Sequence, residues 1–189
     1  MASAKKPAST VSTKKASANK SPVIAVTAPA QSGGVEIGKA APAFSLRNEK
    51  GVTRTLRDYA GEWLVVYFYP RDDTPGCTTE ACEFTSIHAD FARVNARVVG
   101  VSPDTPERHA KFADQYKLKV ELLADPERTA LTAYGAYGKK IFYGKEIVGV
   151  LRSTVLINPQ GKVAHHWTKV KAAGHADAVK ARLLELQGT

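Results

Sequence analysis

Trp63-Leu64-Val65-Val66-Tyr67-Phe68-Tyr69-Pro70, continued by Arg71-Asp72-Asp73-Thr74-Pro75-Gly76-Cys77-Thr78-Thr79-Glu80-Ala81-Cys82, is the stretch from which the rest of the chain can be read. Its first part is aromatic and β-branched, the composition of a central strand. Pro70 has no N–H to offer a neighbouring strand, so the ladder should end there. A loop holding Thr74, Pro75 and Gly76 leads into a segment from about Cys77 to Asn95, in which Phe84, Ile87, His88, Phe91 and Val94 recur at helical spacing. Cys77 therefore stands where a strand gives way to a helix. There a sulfur meets unpaired backbone N–H groups and the positive end of the helix dipole, and both favour thiolate over thiol.

Outward from this stretch the rhythm is strand, helix, strand, helix. Towards the N-terminus, Phe44 to Leu46 and Val52 to Leu56 read as short strands around a turn at Asn48 to Gly51. Towards the C-terminus, Val98 to Val101 reads as a buried strand. Thr105 as N-cap and Pro106 at the first helical position then predict a helix to about Tyr116. Leu122 to Ala124 is a further strand, and Asp125 with Pro126 opens another helix that Gly135 can end. Ser153 to Ile157 and Lys162 to Trp167 flank the turn Asn158-Pro159-Gln160-Gly161 and read as an antiparallel hairpin. A last helix runs from about His175 to Leu186. Parallel strands with crossover helices and a terminal hairpin predict an α/β fold, a mixed sheet with helices on both faces.

With 189 residues, 43% of them hydrophobic, the chain has material for one well-buried core. Residues 1–34 consist almost wholly of Ala, Ser, Thr, Lys, Pro and Val and have no aromatics, so they are expected to be a disordered tail before a domain over 35–189. The tail carries Lys5, Lys6, Lys14, Lys15 and Lys20 and no acid, which is more than half of the formal charge of +9. The basicity thus belongs largely to the tail, and the domain by itself makes only a weak case for nucleic-acid binding. Apolar runs such as Leu64 to Val66 fall far short of the roughly 20 residues of a membrane helix. Val23 to Val26 is likewise too short for a signal peptide, so the chain reads as cytoplasmic.

Only two cysteines occur, Cys77 and Cys82, which argues for redox chemistry or metal binding over a disulfide scaffold. A zinc site would need two more ligands, and no Cys-x-x-Cys or His-x-x-x-His pair supplies them. His165 and His166 are adjacent on a predicted strand and point to opposite faces, which makes solvated surface their expected role. Phe68, Phe84, Trp63 and Phe91 are expected in the core.

Pro70, Thr74 and Cys77 match the Pro-x-x-x-Thr-x-x-Cys signature of the peroxiredoxins, and the run from Pro75 to Cys82 resembles the bacterioferritin-comigratory, or Q-type, subfamily. The resemblance extends from about residue 35 to the C-terminus. It includes Ala41-Pro42-Ala43-Phe44, Gly144-Lys145 and Arg152-Ser153-Thr154-Val155-Leu156-Ile157-Asn158. It implies a thioredoxin-like fold and a thiol peroxidase acting on hydrogen peroxide and organic hydroperoxides, without metal, haem or flavin. By motif position Cys77 is the peroxidatic nucleophile. Thr74, the amides near Gly76 and the guanidinium of Arg152 would activate it and the peroxide, with Pro70, Gly76 and Glu80 in support.

The resemblance further implies that Cys77 becomes a sulfenic acid and then condenses with Cys82 as resolving thiol, that thioredoxin or glutaredoxin reduces the disulfide, and that the protein is a monomer. In a regular helix, five residues place the two Cα atoms roughly 8–9 Å apart, while bridged cysteines need less than about 7 Å. The first turn and a half after Cys77 must therefore unwind on oxidation. Two other functions compete with this reading. A general thiol-disulfide oxidoreductase is at odds with the four-residue spacing, which is not Cys-x-x-Cys. A redox sensor with a nucleic-acid-binding tail would rest on the five lysines.

Overall fold

Strand β3 (Trp63–Phe68) divides its side chains between two cores. Leu64, Val66 and Phe68 face one, while Val65, Tyr67 and, just past the strand, Tyr69 face the other. From Leu64 to Tyr69 none is more than 1% exposed. Only a strand covered on both sides can bury six consecutive residues, which is why the unbroken apolar run made it central. The computed structural model describes residues 1–2, 34–142 and 144–188; the expected disordered tail over 1–34 lies almost wholly outside the described residues.

The elements follow in the order β1 (Ser45–Asn48), β2 (Thr53–Thr55), a 3-10 turn (Leu56–Tyr59), β3, α1 (Pro75–Ser86), α2 (His88–Arg93), β4 (Ala96–Ser102), α3 (Pro106–Tyr116) and β5 (Glu121–Ala124). They continue with α4 (Thr129–Ala133), β6 (Tyr137–Phe142), β7 (Lys145–Val150), β8 (Ser153–Ile157), β9 (Val163–Trp167) and α5 (His175–Gln187). Seven strands form one mixed sheet in the order β2-β1-β5-β4-β3-β8-β9. β3, β4 and β5 run parallel, and β8 pairs antiparallel with β3 in a register that sets Val65 opposite Leu156. The architecture is the α/β fold expected from the sequence, a mixed sheet with helices on both faces.

Both crossovers between parallel strands lie on the same face, as crossovers of one hand require. Phe84 of α1, Phe91 of α2, Phe112 of α3 and Val179 and Leu183 of α5 share its core. The other face is covered more thinly, by α4 with Phe44, Tyr59 and Tyr134. Gly100 of β4 marks the tightest contact. A Cβ there would lie 2.5 Å from Tyr67 Cζ and 3.0 Å from Leu122 Cδ2, so only glycine leaves the phenol its place across the strand.

Four local expectations are corrected. The helix expected over 77–95 begins earlier, at Pro75, and breaks at Ile87 (φ −106°, ψ 15°) into α1 and α2. Phe84 and Phe91 are both fully buried with ring centroids 6.0 Å apart, whereas seven residues of straight helix rise about 10.5 Å. The bend lets both rings reach the same core. The helix expected at Asp125 and Pro126 starts only at Thr129, because Arg128 takes a left-handed conformation (φ 58°). Asp125 still caps it from a distance, accepting from the Thr129 and Leu131 amides at 2.9 and 2.8 Å, and Gly135 ends it at φ 69°.

The hairpin β6–β7 was not anticipated. It forms a separate two-stranded ribbon with Ile141 and Val148 exposed. His165 and His166 do point to opposite faces but are half-buried instead of solvated. His165 packs edge-on against Trp167 at 4.2 Å, and burial lowers the pKa of both imidazoles.

Candidate active site

The last ladder contact of the Tyr69 amide is with the Val101 carbonyl at 3.1 Å. Pro70 ends the pairing and the chain turns away. Asp73 adopts φ 55°, a conformation that aspartate tolerates better than most residues. Thr74 is the N-cap of α1 with extended backbone, Pro75 fills the first helical position, and the Thr74 carbonyl accepts the Thr78 amide at 2.8 Å. Cys77 is thus the third residue of the helix, at its positive end, and is 2% exposed.

Arg152 enters from the link between β7 and β8. Its Nη2 donates to Cys77 Sγ at 3.1 Å, and its Nη1 donates to Glu80 Oε2. Cys77 and Glu80 are three apart on α1, so they share a helix face and one guanidinium spans both. A Cβ on Gly76 would sit 3.5 Å from Arg152 Nη2 and 3.9 Å from Ala172, which locates Gly76 and Ala172 at the rim of the sulfur's surroundings.

Glu80 is fully buried, and its Oε1 has no hydrogen-bond partner among the described residues. Burial pushes its carboxyl up to about 7 against the pull of Arg152. The side-chain contact of Glu80 is with Arg152. The Cys77 sulfur and the Glu80 carboxyl therefore share one guanidinium away from water, and each draws on the field of the same cation.

The Thr74 hydroxyl donates to the Arg71 carbonyl at 3.1 Å and closes the loop, and Arg152 hydrogen-bonds the sulfur. Cys77 and Cys82 are free thiols, the second half-buried, and both lie inside the regular part of α1. Pro70 is half-buried at the strand end.

His175, the first residue of α5, was read from sequence only as a helix start. It is 6% exposed, its Nε2 lies 2.8 Å from Thr154 Oγ1, and its ring meets Phe84 and Trp167 edge-on. Burial first and then the charge of Arg152 hold its pKa at about 4, so near neutrality it flanks the site uncharged. No pattern in the sequence marks it, because its role depends on contacts across 21 residues and more. Among the described residues no group of three or more His, Cys, Asp or Glu side chains stands together to hold a metal. None of the described helices is long and apolar enough to cross a membrane. A surface cleft lined by Arg54, Ala96 to Val99 and Lys119 to Glu121 lies at the starts of β4 and β5, opposite the end that carries Cys77.

A cysteine at a helix N-terminus with a guanidinium on its sulfur is set up to act as a nucleophile and to have charge stabilised on whatever it attacks. Comparison with known proteins points the same way. The pattern of the AhpC/TSA family matches residues 37–166. A putative peroxiredoxin bcp of Helicobacter pylori is 47% identical over 145 residues, covering 77% of this chain and 95% of that protein. Peroxiredoxin Bcp of Bacillus subtilis is 45% identical over 141 residues, covering 75% and 90%. The structure of the bacterioferritin comigratory protein of Xanthomonas campestris, described for its alkyl peroxide reduction activity, superposes with a TM-score of 0.74 at 40% identity, covering 80% of this chain and 96% of that one.

Proposed function

Because this chain belongs to the AhpC/TSA family and, within it, to the Bcp or PrxQ type of peroxiredoxin, we propose that Cys77 attacks hydrogen peroxide and organic hydroperoxides and that Cys82 resolves the product. The observation that carries this is the Arg152 Nη2 contact to Cys77 Sγ, 3.1 Å, at the N-terminus of α1.

The Cys77 thiolate attacks the terminal oxygen of the hydroperoxide. A sulfur–oxygen bond forms as the oxygen–oxygen bond breaks, and the departing alkoxide or hydroxide takes a proton to give alcohol or water. Negative charge moves from sulfur to the leaving oxygen during this step. Arg152, already beside the sulfur, follows it with its N–H groups, and the amides at the start of α1 add their partial charge. The alkyl peroxide activity of the Xanthomonas campestris relative supports organic hydroperoxides as substrates.

The sulfenic acid on Cys77 then condenses with the Cys82 thiol, forming a disulfide and releasing water. Because both residues lie in regular helix, the disulfide requires α1 to unwind locally, which presents it to a dithiol reductant; thioredoxin is our choice. Both cysteines lie in one chain, so a monomer suffices. Free thiols in the resting fold suit a reducing cytoplasm.

The test is peroxide consumption coupled to a thioredoxin system. Wild type should turn over, Cys77→Ser should be inert, and Cys82→Ser should consume one equivalent and stop. Full turnover by Cys77→Ser would overturn the assignment, and sustained thioredoxin-linked turnover by Cys82→Ser would remove Cys82 from the cycle.

A further inference from the structure

Six residues separate the end of β3 from the helix that carries Cys77, and two of them, Asp72 and Asp73, are docked onto α3. Asp72 is 2% exposed and anionic groups at that depth are costly unless fully hydrogen-bonded. Its Oδ1 accepts from Tyr69 Oη at 2.7 Å and its Oδ2 from His109 Nδ1 at 2.8 Å. Its amide donates to Asp104 Oδ2 at 2.7 Å. Asp104 in turn accepts from Ser102 Oγ and the Arg108 guanidinium, each at 2.8 Å. Asp73 accepts from Tyr116 Oη at 2.6 Å, about two turns beyond His109 on α3.

His109 itself is 0% exposed, and its Nε2 has no hydrogen-bond partner among the described residues. A proton on Nε2 would be an unmatched donor in the core, whereas a proton on Nδ1 meets a carboxylate. The geometry therefore puts a proton on Nδ1, a donor aimed at Asp72. Nothing in the peroxide chemistry uses this imidazole, yet it is built into the loop three residues before α1 begins.

We infer that His109, acting through Asp72, is a positioning residue for Cys77: it fixes residues 71–74 to α3 and so sets the origin of α1, on which the contact between Cys77 and Arg152 depends. The inference rests on the reading of Cys77 as the residue that attacks peroxide. It also assigns an order to the cycle. The anchor lies on the N-terminal side of Cys77, so it stays in place while α1 unwinds beyond it, and it governs capture of peroxide without entering the reduction of the disulfide.

Stopped-flow oxidation of the full chain by hydrogen peroxide, followed by the fluorescence of Trp63 and Trp167, tests this in three variants. Loss of one hydrogen bond to an ionised group predicts that His109→Leu is oxidised about ten-fold more slowly or worse. His109→Asn carries an amide N–H close to the position of Nδ1 and should stay within about three-fold of wild type. Reduction of the oxidised forms should be unchanged in both. Should His109→Leu not accumulate folded, Tyr69→Phe removes the other side-chain donor to Asp72 with the ring intact and should slow oxidation in the same direction.

Wild-type oxidation rates in folded His109→Leu or in Tyr69→Phe would overturn the inference. So would His109→Asn proving as slow as His109→Leu. Amide exchange separates this from the assignment of Cys77. Faster exchange at residues 72–77 in His109→Leu, with slow exchange in wild type and His109→Asn, supports the anchor even if wild type proved inert to peroxide; equal exchange in all three overturns it.

Discussion

Arg152 is shared by a sulfur and a buried carboxylate, and its removal should show at both. Replacing it with methionine keeps the stem and removes every donor. A hydrogen bond to an ionised group is worth about 1.5–3 kcal/mol, so Cys77 oxidation in Arg152→Met should slow about ten- to a hundred-fold, measured by stopped-flow with hydrogen peroxide. Glu80 and His175 give the site a pH signature with opposed signs. The carboxyl of Glu80 is raised to about 7 from 4.5, so its contribution to stability is complete below about 4.5 and is lost as pH rises through 7. His175 is lowered to about 4 from 6.5, so its contribution is present above 6.5 and is lost as pH falls through 4. Between those limits the two trends oppose each other. Glu80→Gln should therefore gain stability relative to wild type as pH rises from 4.5 to 7, by on the order of a few kcal/mol, in urea unfolding at a series of pH values. A constant difference between the two proteins across that range would contradict the buried, raised carboxyl. Neither residue could be identified as perturbed from sequence. The burial of Glu80 comes from Arg152 arriving from a distant link and from the neighbouring sheet, neither of which is local in the sequence.

At the scale of elements, α1 is where the mechanism asks for change. Pro75 and Gly76 between a strand-ending proline and a cysteine are local signals, and local signals survive folding. The bend at Ile87 was not legible, because it follows from two rings seeking one core and leaves the 3.6-residue spacing intact. That bend makes α1 a short, separate unit. Oxidation should accordingly raise amide exchange at Thr78 to Glu83 by at least about ten-fold, the mark of local unfolding, and leave α2 as it was. Equally slow exchange in reduced and oxidised protein would contradict resolution by Cys82. The ribbon β6–β7 escaped sequence reading for the opposite reason. Gly138, Lys139, Lys140, Gly144, Lys145 and Glu146 break any alternation, since neither face of the ribbon packs fully against a core.

Across the whole molecule, a sheet covered on both faces holds the Cys77 loop, α3 and the link bearing Arg152 at fixed relative positions. β3, β4 and β8 are adjacent in that sheet, and each ends in a segment that enters the site: the loop to Cys77, the loop to α3, and Arg152 just ahead of β8. The parallel order and the terminal hairpin were legible from runs of apolar residues punctuated by Pro, Gly and Asn. The close approach of Tyr67 to Gly100 was not, because it is a contact between strands. Gly100→Ala would set a methyl 2.5 Å from a rigid buried ring, and overpacking of this kind costs about 1–3 kcal/mol or more. The midpoint of thermal unfolding should fall by several degrees, while an unchanged midpoint would show the ring free to move. The central claim, that Cys77 takes the oxygen and Cys82 resolves it, is tested most directly by the intact mass of the protein after one equivalent of hydrogen peroxide. Wild type should lose two hydrogens, Cys82→Ser should gain oxygen, and Cys77→Ser should be unchanged; oxidation of Cys77→Ser as fast as wild type would contradict the account.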